Sequence, residues 1–217
     1  ATLQGTVNAN NSDTTDLTIK YADDESTVTG GGGTSATVSP SSATGSSNTS
    51  VSAGLTGLTP GTQYWYRVSA TNGVGTTNGD TETFTTASLP TVTTNAASDV
   101  TTTSATLNAT VNANGFNTTA LSYKYSADRT TVEQGGGATP QTISPTEVTG
   151  STDTALTAPL TGLTPGTTYY YRASATNAGG TSNGSIVSFT TLSNGGGGGG
   201  GGGGGSAPAP AATTTPT

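Results

Sequence analysis

The sequence predicts an all-β protein of two tandem antiparallel β-sandwich domains, followed by a tail rich in glycine and proline. Three observations predict this fold class: short stretches that alternate between apolar and polar residues, a long internal repeat, and abundant threonine. Alternation is typical of strands with one buried side, and threonine favours pleated, half-buried surfaces. About seven such strands fall in each repeat, as in an antiparallel sandwich.

The alternation is clear in residues 63–70, QYWYRVSA. Tyr64, Tyr66 and Val68 share one face of the predicted strand, while Trp65 and Arg67 share the opposite face. We find no convincing pattern of an amphipathic helix anywhere in the sequence.

The repeat defines the predicted domains. The opening ATLQGTVNAN returns as ATLNATVNAN at residues 105–114, and LTGLTPGTQYWYR at 55–67 returns as LTGLTPGTTYYYR at 160–172. This is one domain type used twice. We predict a first domain at residues 1–87, a second at 88–192, and a tail or linker at 193–217.

The motif LTPGTxYxYR, closed downstream by FTT, resembles the fibronectin type III family, in particular a bacterial variant. The resemblance extends from residue 1 to about residue 192 and implies that topology for both sandwiches. It also implies a tyrosine corner at Tyr64 and Tyr169, whose hydroxyls would cap the backbone before their strands. The tryptophan common early in animal members is absent, and Leu3 and Leu107 lie in that region.

The same resemblance implies that other tyrosines fill the core between the sheets. We expect Tyr66 and Tyr171 there, together with Tyr21 and Tyr125. Burying each ring would contribute roughly 2 to 3 kcal/mol.

Composition excludes several classes of function. The 217 residues contain no cysteine and no histidine, which removes disulfides, thiol nucleophiles, imidazole bases and the usual zinc ligands. Five basic residues and a net charge of −7 argue against nucleic-acid binding. No run approaches the roughly 18 apolar residues of a membrane helix, so we expect no direct membrane insertion. We expect no enzyme, no cofactor, and no catalytic, cofactor-binding or metal-binding residues.

Four of the five basic residues lie beside aromatic residues on the predicted outer sheet faces, and these form the candidate surface patch: Lys20, Trp65, Arg67, Lys124, Tyr170 and Arg172. An aromatic ring next to a guanidinium on an exposed sheet can bind a sugar ring or a partner protein. The same arrangement can be a cross-strand cation–π cluster that only stabilises the sheet.

The first repeat begins where the second is already under way, since nothing in it corresponds to residues 89–98. Either that first strand belongs to residues outside this sequence, or a neighbouring subunit supplies it, as in donor-strand polymers. Within the chain the candidate donors look poor: AATTTPT is short, and polyglycine has no side chains to fill a groove. The tail is expected to be a flexible linker with polyproline-like parts, or a strap that reaches a neighbouring subunit.

These observations favour a non-enzymatic, extracellular structural or adhesive protein, the repeat unit of a bacterial surface fibre, stalk or adhesin. Its expected partners are neighbouring copies and possible glycans. Two alternatives remain open: a spacer or carbohydrate-binding accessory region of a secreted polysaccharide-degrading enzyme, and a viral tail or capsid decoration module.

Overall fold

A computed structural model describes residues 1–140 and 142–195 of the chain, and strands dominate this part. The only helices in it are two segments of five residues each. The predicted all-β fold class is confirmed. The predicted linker or strap lies in the tail beyond residue 195, outside the described residues.

The first repeat forms two facing antiparallel sheets. Its elements are β1 Thr2–Asn8, β2 Asp16–Ala22, α1 Glu25–Thr29, β3 Thr34–Ala36, β4 Asn48–Gly54, β5 Gln63–Thr71, β6 Thr76–Asn78 and β7 Glu82–Thr85. One sheet pairs β1 with β4; in the other the order is β3-β2-β5-β6, and β7 also pairs with β5.

The second repeat has the same plan and also seven strands: it has an additional first strand at Thr91–Ser98, and an isolated bridge between Tyr125 and Ala138 stands in place of the short strand Thr34–Ala36. Its elements are β8 Thr91–Ser98, β9 Ser104–Asn112, β10 Ala120–Ser126, α2 Arg129–Glu133, β11 Thr154–Thr161, β12 Thr168–Asn177, β13 Gly180–Asn183 and β14 Val187–Thr190. One sheet has the order β11-β9-β8; in the other the order is β10-β12-β13, and β14 also pairs with β12.

Each sandwich has its own hydrophobic core, and the second is larger. Ten buried apolar residues form the first core and fifteen form the second. Leu3 and Leu107, which lie in the region where the resemblance would place a tryptophan, are buried in these cores. The small Ala and Val side chains that fill most of the remaining space agree with the low apolar content of the sequence.

The expectation for the core tyrosines is correct for Tyr171 and wrong in detail for the others. Tyr171 is fully buried, but its partner in the core is Tyr123, with ring centroids 6.3 Å apart. Tyr21, Tyr66 and Tyr125 are half-buried and pack against the margin of their cores. Alternation places Tyr123 and Tyr125 on the same face of β10, and only the position nearer the strand centre is fully enclosed.

Two single-turn helices, which the sequence pattern did not indicate, accompany the strands. Asp24 is the N-cap of α1, where its carboxylate accepts a hydrogen bond from the Thr27 amide at 2.8 Å. Asp128 caps α2 in the same way, accepting from the Thr130 amide at 2.9 Å. A single turn is too short to show helical periodicity, so only the cap residues carried a signal. No helix in residues 1–140 and 142–195 has the length and apolar character needed to cross a membrane.

The connection between the sandwiches is held by the second one. The Asn177 side-chain amide, itself buried, donates to the Ser88 carbonyl at 2.9 Å and also to the carbonyls of Ala113 and Phe116. A Cβ atom on Gly179 would lie 2.5 Å from the Ala87 carbonyl oxygen. Only glycine therefore fits beneath the linker at this point.

Candidate functional site

The structure brings each half of the candidate surface patch onto one sheet face. Lys20 lies directly opposite Arg67 across the β2–β5 ladder, and Lys124 lies opposite Arg172 across the β10–β12 ladder. Two residues earlier on the same face stand Trp65 in β5 and Tyr170 in β12.

The patch is not an open surface, because a helix lies on each face. Helix α1 packs on β2 and β5, its Val28 is buried, and the Lys20 Nζ donates to the Gly31 carbonyl at 2.5 Å. In the second repeat Val132 of α2 is buried, and the Arg172 Nε is enclosed and has no hydrogen-bond partner among residues 1–140 and 142–195. All six patch residues are half-buried.

The tyrosine-corner residues make the expected backbone contacts. The Tyr64 hydroxyl accepts a hydrogen bond from the Thr59 amide at 3.2 Å, and the Tyr169 hydroxyl accepts from the Thr164 amide at 3.0 Å. Each ring also stacks on the phenylalanine of the adjacent strand, Tyr64 on Phe84 with centroids 5.6 Å apart. These two tyrosines are structural, since their hydroxyls are used within the fold.

Acidic residues contribute to the fold through helix capping. Hydrogen bonds from Thr27 and Ser26 hold the pKa of Asp24 below its ordinary value, and those from Thr130 and Thr131 do the same for the pKa of Asp128. Among residues 1–140 and 142–195, no three His, Cys, Asp or Glu side chains lie close enough together to bind a metal ion.

The feature that distinguishes the two sandwiches is the environment of β8. In the second repeat β8 pairs along β9 and packs against β12, β13 and β14 of the facing sheet. The buried Thr94 hydroxyl accepts a hydrogen bond from the Ala173 amide at 3.2 Å, and Val92 and Ala97 pack on the core. One strand thus closes both the sheet edge and the gap between the sheets.

In the first repeat the corresponding edge is open. Within the described residues β1 pairs with β4 alone, so the backbone of its other edge has no strand beside it. The groove that runs along this edge, here called the strand groove, is lined by Gln4, Gly5, Thr6, Tyr66, Val68, Gly79, Asp80 and Glu82. An open edge of this kind is a ready template for another extended segment.

Two equivalent glycines, Gly184 and Gly79, show that a strand fits into the strand groove. A Cβ on Gly184 would lie 2.3 Å from the Thr94 Oγ1 and 2.9 Å from its amide nitrogen, so glycine is required beneath β8. The equivalent residue of the first repeat is Gly79, where a Cβ would meet nothing closer than the Val68 carbonyl at 3.6 Å. The first sandwich therefore has the space for a strand at the same place.

The hydroxyls of the equivalent residues Tyr171 and Tyr66 also differ between the groove that holds a strand and the groove that does not. In the second repeat the Tyr171 hydroxyl donates to the Asn95 carbonyl of β8, and burial raises the pKa of Tyr171 to about 12. The equivalent Tyr66 is half-buried and donates across the strand groove to the Gln4 carbonyl at 3.4 Å. Without a strand in the groove this hydroxyl takes the nearest backbone acceptor.

Sequence reasoning located the gap but missed the groove residues. Gly79 and Val68 carry no chemical signature, and their role becomes visible only when they are set beside Gly184 and Ala173. The repeats also differ at Gly5 and Val68, since the second repeat has alanine at both equivalent positions. A Cβ on Gly5 would lie 2.5 Å from a Val68 methyl, so glycine at one position makes room for the larger side chain at the other. Alignment of the repeats shows these residue differences but not that Gly5 and Val68 are in contact.

No protein-family model matches the sequence, and no curated protein sequence matches it. The sensor domain of the anti-sigma factor RsgI4 in Pseudobacteroides cellulosolvens is similar in structure, with 24% identity and a TM-score of 0.34, over 48% of this chain and 91% of that one. The chicken CNTN1 FN1-FN3 domains are similar at 14% identity and a TM-score of 0.26, over 84% of this chain and 57% of that one. At these values the likenesses assign neither a family nor a function.

Proposed function

We propose that the chain is a non-enzymatic, extracellular structural or adhesive protein, a repeat unit of a surface fibre, stalk or adhesin. One observation carries the proposal: two sandwiches of one design are joined by a linker bound to the second sandwich through Asn177 and seated over Gly179. Domains joined in this way suit an extended assembly, in which each repeat is a spacer of defined length.

The outer sheet faces support the same conclusion. In the first repeat the Ser69 hydroxyl donates to the Asn78 amide oxygen at 2.6 Å, and the hydroxyls of Thr71 and Thr76 lie 2.8 Å apart. The second repeat has the same two contacts at Ser174–Asn183 and Thr176–Thr181. Side chains that satisfy one another across strands stabilise the sheet and leave few polar groups to bind a ligand.

A carbohydrate-binding accessory region is less well supported. That alternative needs the rings of Trp65 and Tyr170 on an open surface, and both are half-buried on the faces that carry the helices. Binding to a glycan array that disappears in Trp65→Ala would reverse this preference.

The proposal is tested by the location and form of the native protein. Antibodies against the purified chain, used in immunogold electron microscopy of the source material, should label filaments or stalks with a regular repeat outside the cell envelope. Label confined to the cytoplasm, or to a soluble secreted enzyme, would contradict the proposed function.

A further inference from the structure

We propose that the strand groove of the first sandwich binds residues 211–217 of a neighbouring copy, so that copies join head to tail by strand donation. This deepens the proposed function, on which it rests, by naming the partner as a second copy and the contact as a strand.

Strand β8 shows what an occupant must provide. It enters after Pro90, and its inward side chains are the apolar Val92 and the buried Thr94. Its ladder to β9 is regular from Thr91 to Asn95 and then shifts register before Ser98. Five regularly paired residues with two inward side chains therefore make the essential contact.

The tail contains a segment that meets these requirements. PAATTTPT at residues 210–217 aligns without a gap on PTVTTNAA at residues 90–97. The proline that precedes the strand and both central threonines are identical, and Ala212 stands in place of Val92. The alignment places Thr214 at the position of Thr94, which is the buried contact over the groove glycine.

The second proline of the tail falls where the strand tolerates it. Pro216 aligns with Ala96, which lies in the register shift of β8, between the paired residues Asn95 and Ser98. Proline lacks an amide hydrogen and is found in strands at edges and bulges for this reason. The expectation that AATTTPT is too short for a donor is revised, because the regular part of β8 is itself only five residues long.

Charge also favours this segment. Residues 206–217 carry no charged side chain, whereas the chain has a net charge of −7 and Asp80 and Glu82 line the strand groove. The side chains of this donor therefore add no charge repulsion with the acidic wall.

The first repeat differs from the second at the residue that lies under the linker. Val74 stands where the second repeat has Gly179, in the same turn: the Asn72 side-chain oxygen accepts from the Val74 amide at 2.9 Å, as Asn177 does from Gly179 at 2.8 Å. A side chain at Gly179 would collide with the carbonyls of Ala87 and Ser88. An occupant of the first groove therefore enters by a path other than the one this linker takes, which suits a donor from another molecule.

The tail has the reach to make such a contact. Residues 195–205 are eleven consecutive glycines. In a polyproline-like conformation, at about 3.1 Å per residue, this run would span about 34 Å. In the bound state the Thr214 hydroxyl accepts from the Val68 amide, and the Tyr66 hydroxyl turns from Gln4 to the Thr215 carbonyl, as Tyr171 is bonded in the second sandwich.

Light scattering of the purified full chain tests the inference through a matched pair of variants. The weight-average mass of the unmodified chain should exceed that of one protomer and rise with concentration. Thr214→Asp buries a charge in the groove and should return the mass to that of one protomer. Thr213→Asp places the same charge at the position of the exposed Thr93 and should assemble like the unmodified chain.

A mixing experiment separates donor from acceptor. Gly79→Val fills the groove and keeps the tail, while a chain lacking residues 207–217 keeps the groove and loses the donor. Each variant should be monomeric alone. Mixed together, the two variants should form heterodimers, and larger assemblies should be absent. Gly54→Val is the control, since a Cβ there meets nothing within 4 Å and the residue lies outside the groove.

Three results would overturn the inference: a full chain that stays monomeric at every concentration, equal assembly of the two aspartate variants, or polymers of Gly79→Val. Protection of the first-sandwich amides from hydrogen exchange by the tail in a monomer would show closure within one chain and overturn donation between copies. Native filaments that persist in Thr214→Asp would contradict the strand donation alone and leave the proposed function standing.

Discussion

At the scale of single residues, the polar side chains that most resemble binding groups make hydrogen bonds within the fold. The Tyr169 hydroxyl accepts from the Thr164 amide, and the Asn177 amide donates to three carbonyls. Lys20 is bonded to the Gly31 carbonyl of the loop after α1. These side chains therefore hold backbone segments together by hydrogen bonds.

Tyr169→Phe should destabilise the second sandwich by about 1 kcal/mol or less, because it removes one acceptor from a backbone amide while keeping the ring that stacks on Phe189. Urea denaturation measures the change. Tyr170→Phe, on the opposite face of the same strand, is the control and should have no effect. Equal losses in the two variants would contradict the role of the corner.

Sequence reasoning found Tyr64 and Tyr169 because a recurrent motif marks them, and it misplaced the core tyrosines because alternation defines a face without defining depth. Tyr123 and Tyr125 obey the same period, yet only Tyr123 is fully enclosed and donates to the Leu156 carbonyl at 2.7 Å. Depth depends on where the facing sheet lies, and a single strand does not contain that information.

At the scale of elements, the strands were predictable and the helices were not. Helix α1 has one buried residue, Val28, so no repeated spacing exists for a pattern to detect. The strand pattern placed the candidate surface patch on an outer sheet face but did not show that a helix lies on that face. The exposure of the patch therefore could not be predicted from the strands alone.

The capping carboxylates make both helices sensitive to acid. The pKa of Asp24 is lowered in the folded state, so its contribution is present above the ordinary value of 3.8 and is lost as the pH falls through the lowered pKa. Hydrogen exchange at the Thr27 amide should accelerate in that range relative to amides of β5. In Asp24→Asn this pH dependence should be absent, and its persistence there would contradict the capping role.

The groove glycines give a matched test at the level of one strand contact. Gly184→Ala should destabilise the second sandwich by roughly 1 to 3 kcal/mol, because its Cβ overlaps Thr94 of β8. Gly79→Ala should change the first sandwich by less than about 0.5 kcal/mol, since that position is open. Both are measured by denaturation of a chain shortened to residues 1–206. Similar losses at the two positions would contradict an empty groove.

At the scale of the whole molecule, two sandwiches with nearly the same sequence have unequal cores. The first has ten buried apolar residues and a half-buried Tyr66; the second has fifteen and a buried Tyr171. The repeat alignment predicted this inequality as a missing strand. It could not show that Val68 and Gly5 partly refill the space, because that adjustment involves two positions far apart in sequence.

The first sandwich should therefore unfold at a lower temperature than the second. Trp65, the only tryptophan, lies in the first sandwich, so its fluorescence reports on that unit alone. In a chain shortened to residues 1–206, the fluorescence transition should precede the higher of two calorimetric transitions. Coincident transitions, or a fluorescence change at the higher one, would contradict the expected order.

The attachment of the linker to β8 also has a mechanical consequence. A pull along the chain enters the second sandwich at β8 and leaves at β14, strands that belong to different sheets and touch each other. The same force acts at both ends of the sandwich, on the ladder of β8 with β9 and on the ladder of β14 with β12. Because forced unfolding follows the rate of opening rather than the equilibrium stability, the tensile strength of such a repeat depends mainly on the weaker of these two terminal strand attachments.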